Sequence, residues 1–390
     1  MGKFKEAKAD FLQVVKLLPK DKDARDKFSK CEKEIKRALF EKAIEREEED
    51  PFKEVDAANL SVEKNYDGPM MKESGLDAEF VEQMTAHLAK QKNIPKKYLY
   101  IILKSAKEIL EKEPSLVDIT IGVNGIADKI TVCGDTHGQF YDVLNLFKIN
   151  GVPSQNNPYL FNGDFVDRGS FSAEVIITFL AYKVLYPKHF YLSRGNHETK
   201  SMNRMYGFEG EIKAKYGSES YDMLSVIFNC LPLAHVINQK VFVCHGGLFE
   251  KDGVTLEDIR RVNRFQQPPE SGVMNDILWS DPSPLPGRSP SKRGTGVAFG
   301  PDVVEKFLSD NNLELLVRSH EVKDEGYFVE ANGKCITVFS APNYCDTIGN
   351  KAAFITFRED LKPNFTTFTA VDHPKVPPMA YASGFAGMGI

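Results

Sequence analysis

The chain has 390 residues, and its hydrophobic fraction of 42% is sufficient for a large buried core. At ~100 to 200 residues per domain, this length predicts one large domain with an appendage. The formal net charge of -5 shows no basic excess, which argues against nucleic acid or an anionic membrane as the default partner.

The sequence shows no feature of export or membrane insertion. Its start, "MGKFKEAKADF", lacks the apolar stretch of a signal peptide, and no segment approaches the ~18 apolar residues of a membrane span. The six cysteines are widely spaced without a C-x-x-C pair, which predicts reduced, mostly buried thiols and neither disulfides nor a cysteine zinc site. We therefore expect an intracellular, soluble protein.

Residues 1–47, rich in Lys, Glu and Ala, have the spacing of two helices joined at a proline. Small and aromatic residues stand at the offsets of the second half of a tetratricopeptide repeat, where they interlock neighbouring helices before a proline ends the unit. These positions are Gly2, Phe4, Ala7, Phe11 and Pro19. The pattern predicts a remnant of such a repeat without its first helix. A generic charged amphipathic helix pair is the alternative interpretation.

The remaining chain divides into a linker, a large domain and a tail. Residues 48–75 have little apolar periodicity and scattered Pro and Gly, as linkers do. Two helical stretches, "DAEFVEQMTAHLAKQ" and "PKKYLYIILKSAKEILEKE", then begin a large domain that we place at residues 76–370. The tail, residues 371–390, ends in "MAYASGFAGMGI", whose small residues and glycines favour only a weak helix.

From about residue 115, short apolar runs alternate with helical patterns, which predicts an α/β fold. The runs are "KITVCGD", "PYLFNGD", "HFYLSRGNHE", "KVFVCHGG", "LELLVRSH" and "CITVFSAPNYC". Near-continuous apolar strands indicate burial on both faces, and the pattern by itself favours one mixed sheet. In such folds the functional residues gather on loops past the carboxyl ends of strands, and the polar residues of interest lie there.

Five of these runs end in Asp, Asn or His, and none of the five endings relies on Cys. In "GDTHG", Asp135 and His137 are two positions apart, so an extended backbone directs both side chains to one side. The later endings contribute Asp164, Asp167, Arg168, Asn196, His197, His245, Arg318 and His320. Any one of these endings alone is explained by an ordinary turn or by a buried histidine whose hydrogen bonds are satisfied. Five such endings in succession predict a metal site.

The mixture of donors indicates the kind of metal site. Hard oxygen ligands with imidazoles and no thiolates suit Mn, Fe or Zn in a hydrolytic role better than a structural zinc. Six ligands from separate loops exceed the needs of one open catalytic ion. A two-metal centre, with ions about 3.5 to 4 Å apart and one shared carboxylate, accommodates all of them.

The blocks "GDTHG", "GDFVDRG", "RGNHE" and "SAPNYC" resemble the signature of the phosphoprotein phosphatase family of serine/threonine phosphatases, over about residues 115 to 370. The resemblance implies a metallophosphoesterase β-sandwich flanked by helices, preceded here by the tetratricopeptide-repeat remnant. It also implies hydrolysis of phosphoserine and phosphothreonine monoesters by direct attack of a hydroxide activated at a two-metal centre. Two divalent ions per chain are expected, manganese as purified, with iron or zinc as native alternatives.

The same resemblance implies the ligands of each metal. The first metal's ligands are Asp135, His137 and Asp164. The second metal's ligands are Asp164, Asn196, His245 and His320. The carboxylate of Asp164 then bridges the two ions.

Catalytic and substrate-binding roles also follow from the resemblance, with a chemical reason for each. The alkoxide leaving group needs a proton, for which His197 is the general acid, held and charged by Asp167. Planar guanidinium groups bind phosphate oxygens bidentately, which makes Arg168 in "VDRG" and Arg293 in "SKRGTG" the phosphate clamps. The other residues expected beside the substrate are Asn196, His197, His320 and Tyr344.

The resemblance also implies that the substrates are phosphoproteins and that the protein is located in the cytoplasm and nucleus. In the family, a groove formed by several repeats binds the carboxyl tail of a chaperone. Stacked repeats need about three units to bury a continuous core, so half a repeat predicts no chaperone-tail binding by this chain. The tail, residues 371–390, is expected to restrain activity in this family. For this chain we expect high basal activity that changes little when residues 1–50 are removed.

Two other functions compete with this one. A metallophosphoesterase acting on nucleotides or nucleic acid would share the metal site, but the acidic balance and the "SAPNYC" loop argue against it. A catalytically inactive binding module would place the function in the helical start, but the intact ligand set argues against that. Turnover of a phosphopeptide against a dinucleoside polyphosphate, with the metal content per chain, separates the three.

Overall fold

The computed structural model describes residues 59–382, residues 50–53, and positions 10, 11, 14, 21, 27, 28 and 31. The chain forms two compact units, Met1–Val55 and Asp56–Ile390. Apart from those few positions, the helix pair predicted for residues 1–47 lies outside the described residues, and so does the end of the tail, residues 383–390.

Helices occupy much of the second unit, and both helices predicted ahead of the first strand are confirmed. These are α1 (Ala78–Leu88) and α2 (Lys96–Leu110). Asp77 begins α1 by accepting a hydrogen bond from the Phe80 N–H at 2.8 Å, which satisfies one of the free amides of the first turn. The later helices are α3 (Phe140–Asn150), α4 (Ser172–Leu185), α5 (Lys200–Tyr206), α6 (Phe208–Tyr216), α7 (Ser218–Cys230), α8 (Leu256–Arg260), α9 (Val273–Trp279) and α10 (Pro301–Asp310).

The strands form two large sheets and one small sheet. The five-stranded sheet has the order β14-β13-β2-β3-β4, the six-stranded sheet β1-β5-β6-β10-β12-β11, and the small sheet β7-β9-β8. In chain order the strands are β1 (Leu116–Ile119), β2 (Lys129–Cys133), β3 (Tyr159–Phe161), β4 (Phe190–Leu192), β5 (Ala234–Ile237), β6 (Val241–Cys244), β7 (Asp281–Pro282), β8 (Arg288–Pro290), β9 (Val297–Phe299), β10 (Leu315–Arg318), β11 (Tyr327–Glu330), β12 (Cys335–Val338), β13 (Ala352–Arg358) and β14 (Asn364–Phe368). All six runs that the sequence marked as strands are strands.

The two large sheets pack face to face around one apolar core. Side chains of both sheets contribute to it, among them Val132 and Ile355 from the five-stranded sheet and Val243 and Val317 from the six-stranded sheet. The fold is therefore the helix-flanked β-sandwich that the family resemblance implied, and the single mixed sheet favoured by the strand pattern is wrong. An apolar run indicates that both faces of a strand are buried. It does not indicate whether a second sheet or a helix covers each face.

Helices cover the outer faces of the sandwich. Along α4 most side chains are buried all round, as in a helix that lies between other elements, and Phe179 packs on Phe161 of β3 with ring centroids 4.2 Å apart. A second apolar cluster joins the six-stranded sheet to α10, through contacts such as Phe242 with Phe307 at 5.2 Å. These layers hold the strands rigidly and leave their carboxyl ends to carry loops.

The carboxyl ends of the key strands meet at one edge of the sandwich. In one sheet β2, β3 and β4 are parallel, and in the other β6, β10 and β12 are parallel. Asn162, directly after β3, joins the two sheets at this edge by donating to the Cys244 carbonyl at 2.6 Å and to Ser319 Oγ at 2.9 Å. The loops that carry the predicted ligands are thereby brought together.

All six cysteines are free, five of them buried and Cys345 half-buried, which confirms that the thiols are mostly buried. None of the helices that the structure describes is both long enough and apolar enough to cross a membrane.

The buried His235 of β5 predicts a loss of stability in acid. Its Nδ1 lies 3.0 Å from Ser193 Oγ, and burial, followed by the nearby charge of Lys183, lowers its pKa from 6.5 to about 3. The ring is neutral in the folded protein but gains a proton below pH 6.5 once unfolded. The free energy of unfolding should therefore fall by up to about 1.4 kcal/mol per pH unit from this group as the pH falls from 6.5 toward about 3.

Urea unfolding at several pH values between 7 and 4.5 measures this contribution. The His235→Gln variant should lack it, so the difference in unfolding free energy between the two proteins should change with pH by that slope. His189→Gln makes the same change at a half-buried position and is the control. Parallel pH profiles for wild type and His235→Gln would contradict the assignment.

Candidate active site

Six buried side chains converge at the edge where the parallel strands end. They follow β2, β3, β4, β6 and β10, and none is more than 7% exposed. The six are Asp135, His137, Asp164, Asn196, His245 and His320. These are the residues that the sequence singled out as metal ligands, and the fold places them within reach of one another.

One half of this cluster is built around His137. Its Nδ1 lies 3.0 Å from the Val166 carbonyl, so the ring proton is on Nδ1 and Nε2 carries a lone pair. That Nε2 faces carboxylate oxygens of Asp135 at 3.6 Å and Asp164 at 3.5 Å. Three electron-rich atoms directed at one another in a buried site require positive charge between them, from a proton or a metal ion.

The other half is built around His245 in the same manner. Its Nδ1 donates to the Asn162 carbonyl at 2.8 Å, which directs Nε2 into the cluster. Around that Nε2 lie Asp164 Oδ2 at 3.2 Å, Asn196 Oδ1 at 3.0 Å and His320 Nδ1 at 3.1 Å. Within the described part of the chain, His320 Nε2 has no hydrogen-bond partner.

Asp164 belongs to both halves, because its Oδ2 is the carboxylate oxygen nearest to both His137 and His245. Burial opposes its ionisation, but the neighbouring His245 and His197 hold its pKa well below the usual value. Burial likewise opposes a charged His245, yet Asp164 raises that pKa to about 9. The site therefore demands positive charge, and its donors fit two divalent ions that share Asp164.

The loops at this edge hold a strained backbone. Five non-glycine residues have positive φ angles between 40° and 70°, which L-residues rarely adopt. They are His137, Asp164, Asp167, Arg168 and His320. Each such residue costs about 1 to 3 kcal/mol, and the cost is tolerated where the surrounding structure fixes the conformation. All five lie in loops that carry predicted site residues.

Glu198 is one of the groups that fix these loops. Its buried carboxylate accepts hydrogen bonds from the backbone N–H groups of Asp164, Phe165 and Gly195, each at 2.8 Å. It thus joins the loop after β3 to the loop after β4. No role for Glu198 was predicted from the sequence, although its place at the end of "RGNHE" was a signal.

Beside the metal cluster, His197 and Asp167 form a hydrogen-bonded pair. His197 Nδ1 lies 2.8 Å from Asp167 Oδ2, and its Nε2 faces the cluster, 4.0 Å from Asp164 Oδ2. The Asp167 carboxylate also accepts from Asn203 Nδ2 at 3.1 Å and from the Phe208 N–H at 2.9 Å. These bonds hold the imidazole in one orientation, and the contribution of Asn203 was not predicted.

The two predicted clamp arginines lie at the site. The Arg168 guanidinium stacks 3.8 Å above the Tyr206 ring. Arg293 pairs with Asp281 at 2.5 Å and donates to the carbonyl of His320 at 3.1 Å, which fixes it next to a predicted ligand. Its position was inferred from family resemblance alone, and Asp281 was not predicted.

Tyr344 and the two buried cysteines, Cys133 and Cys244, lie close to predicted metal ligands. The Tyr344 ring lies 5.1 Å from the His137 ring, so this residue borders the metal cluster as expected. Cys133 and Cys244 precede ligands but are buried in strands, and burial raises the pKa of both thiols, that of Cys244 to about 12. They are packed thiols and not nucleophiles.

The described part of the C-terminal tail runs along the loop that carries Arg168. The Met379 N–H donates to the Arg168 carbonyl at 2.8 Å, and Ser170 Oγ donates to the Pro377 carbonyl at 2.6 Å. His373 Nε2 lies 3.1 Å from Asp346, next to Tyr344. Whether the tail restrains activity stays a prediction.

The sandwich fold and the buried cluster of carboxylates and imidazoles at its edge are those of a metallophosphoesterase. Accordingly, the family model for the calcineurin-like phosphoesterases matches residues 128–324, and the model for the PPP5 TPR repeat region matches residues 28–118.

Known proteins define the family more closely. The chain is 56% identical to serine/threonine-protein phosphatase T of Trypanosoma brucei brucei, over 99% of this chain and 81% of that protein. It is 52% identical to serine/threonine-protein phosphatase 5 of Homo sapiens, over 100% of this chain and 78% of that protein. The solved structure of a Saccharomyces cerevisiae phosphatase similar to human PP5 is 45% identical, with a TM-score of 0.76, and the match covers 78% of this chain and 100% of that one. The chain belongs to the serine/threonine-protein phosphatase 5 family, whose members also carry the name phosphatase T.

Proposed function

We propose that this serine/threonine phosphatase hydrolyses phosphoserine and phosphothreonine monoesters by direct attack of water at a two-metal centre. The observation that carries the proposal is the shared Oδ2 of Asp164, which faces His137 on one side and His245 on the other. The test combines metal analysis by mass spectrometry with turnover of a phosphopeptide. Two ions per chain and hydrolysis of the phosphopeptide are expected.

The residues divide between the two ions as the resemblance implied. Asp135, His137 and Asp164 would hold the first ion, while Asp164 also joins the ligands of the second. Those ligands are Asn196, His245 and His320. Two divalent ions, when bound, would lower the pKa of a bound water toward about 7 and neutralise charge on the phosphoryl oxygens. We propose manganese in the purified protein and iron or zinc as the native metals.

His197 supplies the proton that the leaving group needs. A seryl or threonyl alkoxide leaves poorly, and His197 Nε2 faces the cluster where the ester oxygen would lie. The carboxylate of Asp167 on Nδ1 stabilises the charged ring and fixes its direction. A positioned acid of this kind is worth a factor of ~10² to 10⁴ in rate.

Arg168 and Arg293 bind the substrate phosphate from two directions. Arg168 is oriented by the Tyr206 ring and Arg293 by Asp281, so both guanidinium groups are pre-positioned. A planar fork in a fixed place binds two phosphate oxygens at once. Tyr344 closes the side of the site next to His137.

Substitution of either arginine by lysine tests the clamps. Arg168→Lys and Arg293→Lys keep the positive charge but lose the planar guanidinium that binds two phosphate oxygens at once. The value of kcat/KM for a phosphopeptide should therefore fall roughly 10- to 100-fold, which corresponds to a loss of about 1.5 to 3 kcal/mol in transition-state stabilisation. Arg261→Lys, at an exposed position paired with Glu257 of α8, is the matched control and should retain full activity. Unchanged kcat/KM in both clamp variants would show that they do not bind phosphate.

The competing functions lose their support at this point. Membership of the phosphatase 5 family argues against nucleotides as substrates. The convergence of all six donors argues against an inactive module. We propose phosphoproteins as substrates and the cytoplasm and nucleus as locations.

A further inference from the structure

The hairpin that leads to Arg293 contains an exposed serine in the sequence Ser-Pro-Ser-Lys. Ser289 is followed by Pro290 and, three positions on, by Lys292, and all three are exposed. Proline-directed kinases require Pro directly after the acceptor serine and favour a basic residue at the third position after it, a pattern of shape and charge at fixed offsets. Ser283-Pro284, in the same segment, has Pro286 at that third position and lacks the basic residue.

The serine is presented in the conformation that a kinase needs. It lies on β8, which is an edge strand of the small sheet, so one side of its backbone is unpaired in that sheet. Pro290 holds the preceding residue in an extended conformation. A kinase cleft that binds extended segments can therefore reach Ser289 with little rearrangement of the hairpin.

The small sheet aligns Ser289 with the group that positions Arg293. Ser289 pairs with Ala298 of β9, and Ala298 pairs with Asp281 of β7. Directly paired residues project from the same face, so Ser289 and Asp281 share a face with only the methyl group of Ala298 between them. At about 4.8 Å between strands, their Cα atoms lie roughly 10 Å apart.

Two cations bind Asp281: the buried Arg318 at 2.8 Å, and the more exposed Arg293. Its guanidinium binds the Asp281 carboxylate through Nε at 2.5 Å, and its side chain remains 33% exposed. Arg288, by contrast, donates to the Phe249 carbonyl at 2.7 Å and to Asp252. A phosphate on Ser289 would carry a charge of about -1.5 to -2 and three acceptor oxygens, and would compete with Asp281 for Arg293.

We propose that Ser289 is a phosphorylation site for a proline-directed serine/threonine kinase, and that the phosphate draws Arg293 away from the catalytic site. The consequence for activity rests on the proposed role of Arg293 as a phosphate clamp. The kinase transfers the γ-phosphoryl group of ATP: the Oγ–P bond forms, the bond from that phosphorus to the bridging oxygen breaks, and ADP leaves. The hydroxyl proton passes to a base of the kinase. The modified enzyme binds its substrates more weakly.

The full chain, purified with its metals, is treated with a cyclin-dependent kinase and the γ-thio analogue of ATP. The thiophosphoryl group resists phosphatases, so the enzyme does not reverse its own modification during the assay. Fragment mass spectrometry should locate one thiophosphate at Ser289. Ser289→Ala should take up none, and Ser283→Ala, the matched control with the other Ser-Pro pair, should take up as much as wild type.

The kinetic effect is then measured on a phosphoserine peptide. Thiophosphorylation should raise KM roughly 10- to 100-fold in wild type, the loss expected for a charge-assisted hydrogen-bonded pair, and should leave kcat little changed. In Arg293→Ala, which already has a raised KM, it should add nothing.

No thiophosphate at Ser289, or incorporation at Ser283 in its place, would overturn the proposal. Incorporation at Ser289 with an unchanged KM would overturn its regulatory half. A wild-type KM in unmodified Arg293→Ala would instead refute the clamp assignment, and the incorporation measurement, which needs no phosphatase activity, would still decide whether Ser289 is modified.

Discussion

Asp164→Asn should lower the occupancy of both metals and abolish turnover of a phosphopeptide. The substitution retains an oxygen at Oδ1, which accepts the His197 N–H at 2.9 Å, so the loop keeps its conformation. It replaces the charged Oδ2 that faces both His137 and His245. Loss of one partner from a buried charge cluster costs about 3 to 5 kcal/mol, which corresponds to roughly 10²- to 10³-fold or more in rate.

Mass spectrometry of the metals and kcat on the same preparation check this prediction. Asp118→Asn is the control, since Asp118 pairs with Arg260 at 2.8 Å on the surface and lies outside the site. It should retain two ions and the full rate. If Asp164→Asn also kept both ions with a near-normal rate, the bridging assignment would be wrong.

His197→Ala should reduce turnover of phosphoserine far more than turnover of p-nitrophenyl phosphate. The serine alkoxide needs the proton of His197, and the loss should reach ~10²- to 10⁴-fold. Nitrophenolate leaves with little protonation, so its loss should be small. The difference between the two substrates isolates proton donation from any general damage to the site.

Two further variants refine this experiment. Asp167→Asn should show a weaker form of the same selectivity, because it removes the charge on the 2.8 Å bond to His197 and keeps the contact with the ring. His373→Ala removes a histidine of the tail that contacts Asp346 and should not discriminate between the substrates. Equal losses on both substrates in His197→Ala would exclude it as the general acid.

The chemistry of the site was largely visible in the sequence. Asp135 and His137 follow β2 within a few residues, and the remaining donors follow β3, β4, β6 and β10 in the same manner. This is a local relation, because a buried strand places its next residues at the sheet edge wherever that sheet lies in the fold. Ligand preference is also a property of residue type, so the mixture of carboxylates and imidazoles predicted a divalent metal site directly.

The arrangement around that chemistry depends on contacts between distant parts of the chain. Asn162 meets Cys244, 82 positions later, and Glu198 meets Asp164, 34 positions earlier. Neither pair has a periodic signature. The same reason explains why Asn203 and Asp281, which orient Asp167 and Arg293, were not predicted.

The sequence by itself determined six of the strands, the donor residues, their spacing and the hydrolytic kind of metal site, because these depend on local periodicity and on the chemistry of side chains. Only the tertiary structure decided that the strands form two sheets and not one, and that Asp164 Oδ2 is the oxygen shared by His137 and His245. It also showed that Ser289 shares a face with Asp281. The physical reason is that strand pairing joins segments far apart in the chain, and apolar patterning specifies that a face is buried without specifying its partner.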